Sequence, residues 1–217
     1  MMYAVIKFLV RIYFRILYSL HYEGKKNVPK DTTVIYAPNH RSYADPPLVA
    51  CGAKGKISFM AKEELFKNKL FAWLISSLGA FPVARGKGDT GAIDKSIEML
   101  NSKRNFMIFP EGTCSKDGKV GRGHTGAALI AARSGKPIIP VGVCYGEKLK
   151  FRTKLIVKYG EPIYPQDYVD SQEEPNPRQL VKLKNRYMAD IKALVEGVPE
   201  PEAAPQQEEQ NKEAADE

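Results

Sequence analysis

His40 and Asp45, in the stretch Asn39-His40-Arg41-Ser42-Tyr43-Ala44-Asp45-Pro46, are the residues whose types and spacing could do chemistry. If the chain turns between them, the carboxylate reaches one ring nitrogen and leaves the other to take a proton. An imidazole titrates near neutrality, which suits a base that is neutral at rest and accepts a proton transiently. A carboxylate on the far nitrogen fixes the tautomer and stabilises the imidazolium that forms. Local sequence gives Asp45 a second reading, as the N-cap of a helix opening at Pro46-Pro47, and on local grounds that reading is the stronger. Both roles can coexist, because a carboxylate has two oxygens. A second candidate is Phe109-Pro110-Glu111-Gly112-Thr113, a strand-end turn offering backbone N–H groups and the Thr113 hydroxyl to an anion.

Other chemistries find less support. The cysteines Cys51, Cys114 and Cys144 form no CxxC pair, and their odd number fits reduced thiols better than disulfides or metal ligands. Three histidines without an HExxH exclude a zinc hydrolase, and no metal site is expected. Gly86-Lys87-Gly88-Asp89-Thr90-Gly91 has P-loop glycine spacing but is followed by Ala92 where lysine is required. No GxSxG nucleophile elbow occurs. Cys114 is the one thiol close to a motif, and it is set aside as a nucleophile because His40 has a sufficient role without it.

The net charge of +8 is unevenly spread. From Val198 onward seven acidic residues face Lys212 alone, so the body up to Gly197 carries about +14. Such a body favours anionic partners: lipid headgroups, phosphorylated metabolites, coenzyme A or nucleic acid. Nucleic acid is excluded because no reading motif interleaves aromatics with the cations. Residues 198–217 are rich in Pro, Glu, Gln and Ala, and disorder is expected there.

These groups must be positioned by elements legible as alternating short apolar runs and longer amphipathic ones. Strands are expected at 33–37, 57–60, 80–83, 105–109, 137–143 and 154–158. Helices are expected from Pro46 and over 63–77, 90–101, 126–133 and 178–196. This predicts one α/β domain over residues 21–197, a mixed, largely buried sheet flanked by helices. Residues 1–20 form an amphipathic helix with a basic stripe of Lys7, Arg11 and Arg15. Spanning a bilayer would place Arg11 near its centre, at about 2.5–3.5 kcal/mol. Lying in the interface, with cations toward phosphates and apolar groups in the acyl layer, avoids that cost. Packing on the domain is the alternative. No small-residue cleavage site follows, which argues against a removable signal peptide.

In this order and separation the two motifs resemble the glycerophospholipid acyltransferases with the HxxxxD motif, in particular the 1-acylglycerol-3-phosphate O-acyltransferases. The resemblance covers roughly residues 20–165. It includes Tyr22-Glu23-Gly24, Ala61-Lys62-Glu63-Glu64-Leu65, Gly79-Ala80-Phe81-Pro82-Val83-Ala84-Arg85, Pro140 and Gly126-Ala127-Ala128. It implies the glycerolipid acyltransferase fold and transfer of a fatty acyl chain from acyl-CoA or acyl carrier protein to lysophosphatidic acid, giving phosphatidic acid. It implies no further cofactor, membrane phospholipid as a partner, and a place on the cytoplasmic face of the cell membrane, peripheral or monotopic. Glycerol 3-phosphate or another lysolipid is an alternative acceptor, and a non-catalytic phospholipid-binding protein an alternative role. By resemblance, His40 is the base, Asp45 its partner, and Arg85 binds the acceptor phosphate with Gly112 and Thr113. A carboxylate repels phosphate, so Glu111 is expected to bond the glycerol hydroxyls or to position a cation such as Arg85. Pro140 belongs to the weakest block, where packing is at least as good a reading as donor contact. Two departures stand out: Cys114 where the family often has arginine, and His124-Thr125 in place of a basic pair. They shift phosphate binding onto Arg85 and Arg122.

Overall fold

The computed structural model describes residues 2–83, 90–170 and 175–197. Arg85 and the acidic tail 198–217 therefore lie outside the described residues. Seven short apolar runs form strands: β1 (Ser19–Glu23), β2 (Ile35–Pro38), β3 (Ile57–Lys62), β4 (Ala80–Val83), β5 (Asn105–Met107), β6 (Ile138–Cys144) and β7 (Lys154–Tyr159). They pair into one sheet in the order β1-β7-β6-β2-β5-β3-β4. All neighbours are parallel except β6 and β7, so the sheet is mixed, as expected.

The helices are α1 (Met2–Leu17), α2 (Asp45–Gly52), α3 (Lys69–Ser77), α4 (Thr90–Asn101), α5 (Gly126–Ser134) and α6 (Pro177–Glu196). Strand alternation splits the core into two layers. Val34 and Tyr36 join Leu48 and Val49 of α2 and Phe14 of α1 on one face. Ile35 and Ala37 join Leu100 of α4, Ala127 of α5 and Leu183 of α6 on the other. With both faces covered, the central strand can be apolar throughout and fully buried. The long α6 opens on a capping box of Asn176 and Gln179 with Pro177 in its first turn.

Three features differ from the sequence expectation, two of them boundaries. The first helix ends at Leu17 and not at 20, because residues 19–23 pair with β7 as an edge strand. The expected helix over 63–77 is split into a 3-10 turn, Glu63–Phe66, and α3. Asn68 restarts the helix, its side-chain oxygen accepting from Phe71 N at 3.0 Å.

The third difference is in how α1 faces. Two of its three cations face the protein while Arg15 stays exposed: Lys7 Nζ donates to Ala53 O at 2.7 Å, Arg11 Nε is buried, and Phe14, on the same side as Lys7, is buried in the core. Burial lowers the Lys7 pKa from its ordinary value. Val5, Phe8, Leu9, Ile12 and Ile16 point outward. The reason is packing. Turned inward, Lys7 satisfies a carbonyl at the end of α2, and Phe14 joins the core cluster of Leu48 and Val49. Among the described residues, no helix is long and apolar enough to cross a membrane.

Candidate active site

The site is built where β2 ends. Asn39 extends the β2–β6 ladder with its side chain, Oδ1 accepting from Val143 N at 2.7 Å and Nδ2 donating to Val143 O at 3.2 Å. The backbone is thereby released to turn at His40 without orphaning the neighbouring strand. His40 N donates to Glu111 Oε1 at 2.9 Å, and His40 O accepts from Ser115 N at 2.7 Å. The ring stacks on Phe109, centroids 4.0 Å apart, and is buried.

His40 Nδ1 lies 3.0 Å from Asp45 Oδ2. An ionised carboxylate only accepts, so Nδ1 carries the proton and Nε2 presents its lone pair. The same Oδ2 accepts from Arg41 N at 2.6 Å and Ser42 N at 2.7 Å. The N-cap reading of Asp45 is therefore corrected. Asp45 is the first residue of α2, Ala44 stands at the cap, and the carboxylate points back into the loop. Prolines explain it. Pro46 and Pro47 have no N–H to offer a capping oxygen, and Leu48 N already donates to Ala44 O. At the start of a helix the negative charge is also favourably placed.

On the other side of the ring, Cys114 Sγ lies 3.2 Å from His40 Nε2. Sequence reasoning set this thiol aside, and the structure brings it onto the base. The other two cysteines sit in α2 and β6, and burial pushes both thiols up to about 11.

Glu111 has a task that the motif alone did not disclose. It is buried, and while Oε1 holds His40 N, Oε2 accepts from Gly121 N at 2.9 Å. The carboxylate thus ties the His40 loop to the loop before α5, and both its oxygens are engaged by backbone. Gly112 takes a left-handed φ of 70°, which closes the turn through Gly112 N to Phe109 O at 3.1 Å. Thr113 and Arg122 are exposed beside this turn and on the loop tied by Glu111. Pro140 is buried in β6 opposite Ala37, a packing position. Among the described residues, no group of three His, Cys, Asp or Glu could hold a metal.

Two concavities flank this centre. A groove of about 510 Å³ opens on His40 and Phe109 and is walled by Phe59, Leu65, Leu74 and Leu78. It can hold an aliphatic chain with one end at the imidazole. A cleft of about 490 Å³ is lined by Arg41, Lys116, Lys119, Lys148, Lys154 and Tyr145. Arg41 is fixed there, its guanidinium over the Tyr145 ring at 4.0 Å and donating to Tyr145 O at 2.5 Å and Gly146 O at 3.0 Å. Nothing in the spacing of residues 41, 116, 148 and 154 announces that cleft; the crossing of β6 to β7 assembles it.

Residues 19–144 match the family model for acyltransferases. A 1-acyl-sn-glycerol-3-phosphate acyltransferase of Streptococcus pneumoniae is 32% identical over 184 residues, covering 82% of this chain and 67% of that protein. A chloroplastic 1-acyl-sn-glycerol-3-phosphate acyltransferase of Arabidopsis thaliana is 32% identical over 128 residues, 57% of this chain; the chain spans only 35% of that relative's length. The crystal structure of the 1-acyl-sn-glycerophosphate acyltransferase PlsC from Thermotoga maritima superposes with a TM-score of 0.73 at 30% identity, covering 90% of this chain and 78% of that one.

Proposed function

The chain belongs to the acyltransferase family, and from that premise we propose that it transfers a fatty acyl group from a phosphopantetheine thioester, acyl-CoA or acyl carrier protein, to the free hydroxyl of 1-acylglycerol 3-phosphate, giving phosphatidic acid. The observation that carries the reading is the Asp45–His40 pair, with Nδ1 held at 3.0 Å from the carboxylate and the imidazole lining an apolar groove.

The chemistry follows from that geometry. His40 Nε2 takes the proton of the lysolipid hydroxyl as its oxygen attacks the thioester carbonyl. Asp45 stabilises the imidazolium and keeps the ring in register. The tetrahedral intermediate collapses by expelling the thiolate, which receives the proton from His40. A thiolate leaves readily, so no acyl-enzyme is required. The apolar groove suits the acyl chain, and the basic cleft suits the phosphates of the donor's pantetheine arm. Thr113, Arg122 and Arg85 are the candidates for the acceptor phosphate; a guanidinium fork matches a phosphate bidentately.

The outward apolar face of α1 supports work at a membrane surface. Three free cysteines fit the cytoplasmic face, where thiols stay reduced.

The test is a purified full chain given labelled acyl donors and a panel of lysophosphatidate, glycerol 3-phosphate and other lysolipids. Label should enter phosphatidate, and His40→Ala should lower turnover by ~10²–10⁴ without unfolding. Asp45→Asn should also lower turnover, and should loosen the loop, because Oδ2 collects three donors. Normal turnover in His40→Ala removes the mechanism. Label in another acceptor keeps the mechanism and replaces the substrate.

A further inference from the structure

Helix α3 has the sequence Lys-Leu-Phe-Ala-Trp-Leu-Ile-Ser-Ser, and none of its residues is buried. Leu70 is 76% exposed, Trp73 56% and Phe71 43%. In a folded chain a short helix is held by the apolar face it buries, and so much uncovered apolar surface implies something outside the chain that covers it. Its two sides have different surroundings. Phe71, Leu74, Ile75 and Leu78 line the groove that leads to His40, while Leu70 and Trp73, one turn apart, face away from it.

The outer face of α1 is uncovered in the same way, Phe8 at 62% and Ile16 at 61% exposed. Tyr3, Lys7 and Val10 of α1 line the same groove. The two uncovered faces therefore belong to one rim around one opening, where Tyr43 also stands, 86% exposed. Charge distinguishes the occupants. From Lys67 to Val83 there is no acidic residue, and Lys67 and Lys69 stand exposed at the start of α3. Apolar side chains edged by cations, with a tryptophan and a tyrosine between them, match an anionic lipid surface.

We propose that α3 is a membrane-insertion element, sharing one leaflet with the outer face of α1. The insertion of α3 does not rest on the acyl-transfer reading.

Trp73 is the single tryptophan of the chain, so its emission reports on α3 alone. The full chain is mixed with vesicles of anionic phospholipid, then with vesicles carrying nitroxide on the upper acyl carbons. The expected result is a blue shift of Trp73 emission and quenching by the nitroxide. Leu70→Glu, a change outside the groove, should weaken vesicle partition by about tenfold or more, since burying a leucine contributes 1.5–3 kcal/mol. It should slow turnover of vesicle-embedded acceptor while leaving that of a soluble short-chain lysolipid near the parent value. Emission unchanged on vesicles, whether or not the protein sediments with them, overturns the proposal. So does a blue shift that grows with protein concentration in the absence of lipid, alongside a doubled mass, which would put a second copy on this face. A chain that inserts Trp73 yet transfers no acyl group leaves the insertion standing and removes only the proposed function.

Discussion

The imidazole of His40 is fixed by its main chain at Glu111 and Ser115, by its ring against Phe109 and by Nδ1 at Asp45, so the position of Nε2 is set before any substrate arrives. What occupies the space before Nε2 is the Cys114 thiol at 3.2 Å. An attacking hydroxyl has to come to the same lone pair, so the thiol is a neighbour to be displaced. Cys114→Ala should therefore keep turnover within roughly an order of magnitude of the parent. Iodoacetamide should inactivate the parent, because a carbamidomethyl group on Sγ blocks Nε2, and Cys114→Ala should resist it. Cys51 and Cys144, with thiols raised to about 11, react slowly at neutral pH. If folded Cys114→Ala loses as much as His40→Ala and the parent traps labelled acyl chain on Cys114, the acyl group passes through the thiol. The pairing of His40 with Asp45 was legible because a turn between near neighbours is all it needs. The thiol was not legible: its approach depends on Ser115 N reaching His40 O across 75 residues of chain. The backbone role of Glu111 was not legible for a related reason. A motif shows a carboxylate next to a turn, and only the fold shows two backbone amides, His40 N and Gly121 N, waiting for it.

At the scale of elements, α1 carries two roles on two faces. Phe14 belongs to the core shared with Leu48 and Val49, while Phe8, six residues earlier and about 120° round the helix, is 62% exposed. Phe14→Ala should cost about 3–5 kcal/mol, read as a clear fall in thermal midpoint, and Phe8→Ala should leave the midpoint unchanged while weakening vesicle binding. Equal midpoints for the two variants would mean that α1 is not seated on the domain. By the same argument, removal of α1 should destabilise the domain and not only release it from vesicles. Sequence periodicity gave most elements within a residue or two, since buried strands and amphipathic helices announce themselves by apolar spacing. It failed where apolar character persists through a change of element. Leu20 and Tyr22 extend the run of α1, yet they pair with β7 as an edge strand. It also left open which face of α1 meets protein, because a stripe of Lys7 and Arg11 looks solvent-bound until Ala53 O is found opposite Lys7 Nζ.

At the scale of the whole molecule, the sheet divides the surroundings of His40 by polarity. The apolar groove lies toward α1, α2 and α3, and the basic cleft lies over the C-terminal end of β6 and the start of β7. β7 is two strands from β2, about 10 Å across the sheet. The phosphate of the proposed acceptor sits on the carbon next to its reacting hydroxyl, which would keep it beside His40; the proposed donor's phosphates sit a pantetheine arm away from the thioester, which suits the more distant cleft. Among the described residues, none of Arg41, Lys116, Lys119, Lys148 and Lys154 lies within ion-pair distance of a carboxylate. Two carboxylates, Asp117 and Glu147, share the cleft wall with these five cations, and Asp117 is engaged with Ser115 Oγ at 2.9 Å and Lys119 N at 3.1 Å. The cleft is thus a concave concentration of the surplus that gives the body its +14, and it should attract polyanions most strongly at low salt. Lys148→Glu with Lys154→Glu should raise the donor KM by roughly tenfold at low ionic strength, at up to about 1 kcal/mol per exposed charge, with the acceptor KM unchanged. The difference should shrink as salt is added. Acyl-CoA, its 3'-dephospho form and a carrier-protein thioester should all feel the change in proportion to their charge, and an acyl-pantetheine lacking phosphate should not. If acyl-pantetheine suffers equally, the lysines act through the fold; if the acceptor KM rises in place of the donor's, the cleft holds the lysolipid phosphate and the two substrates exchange sides.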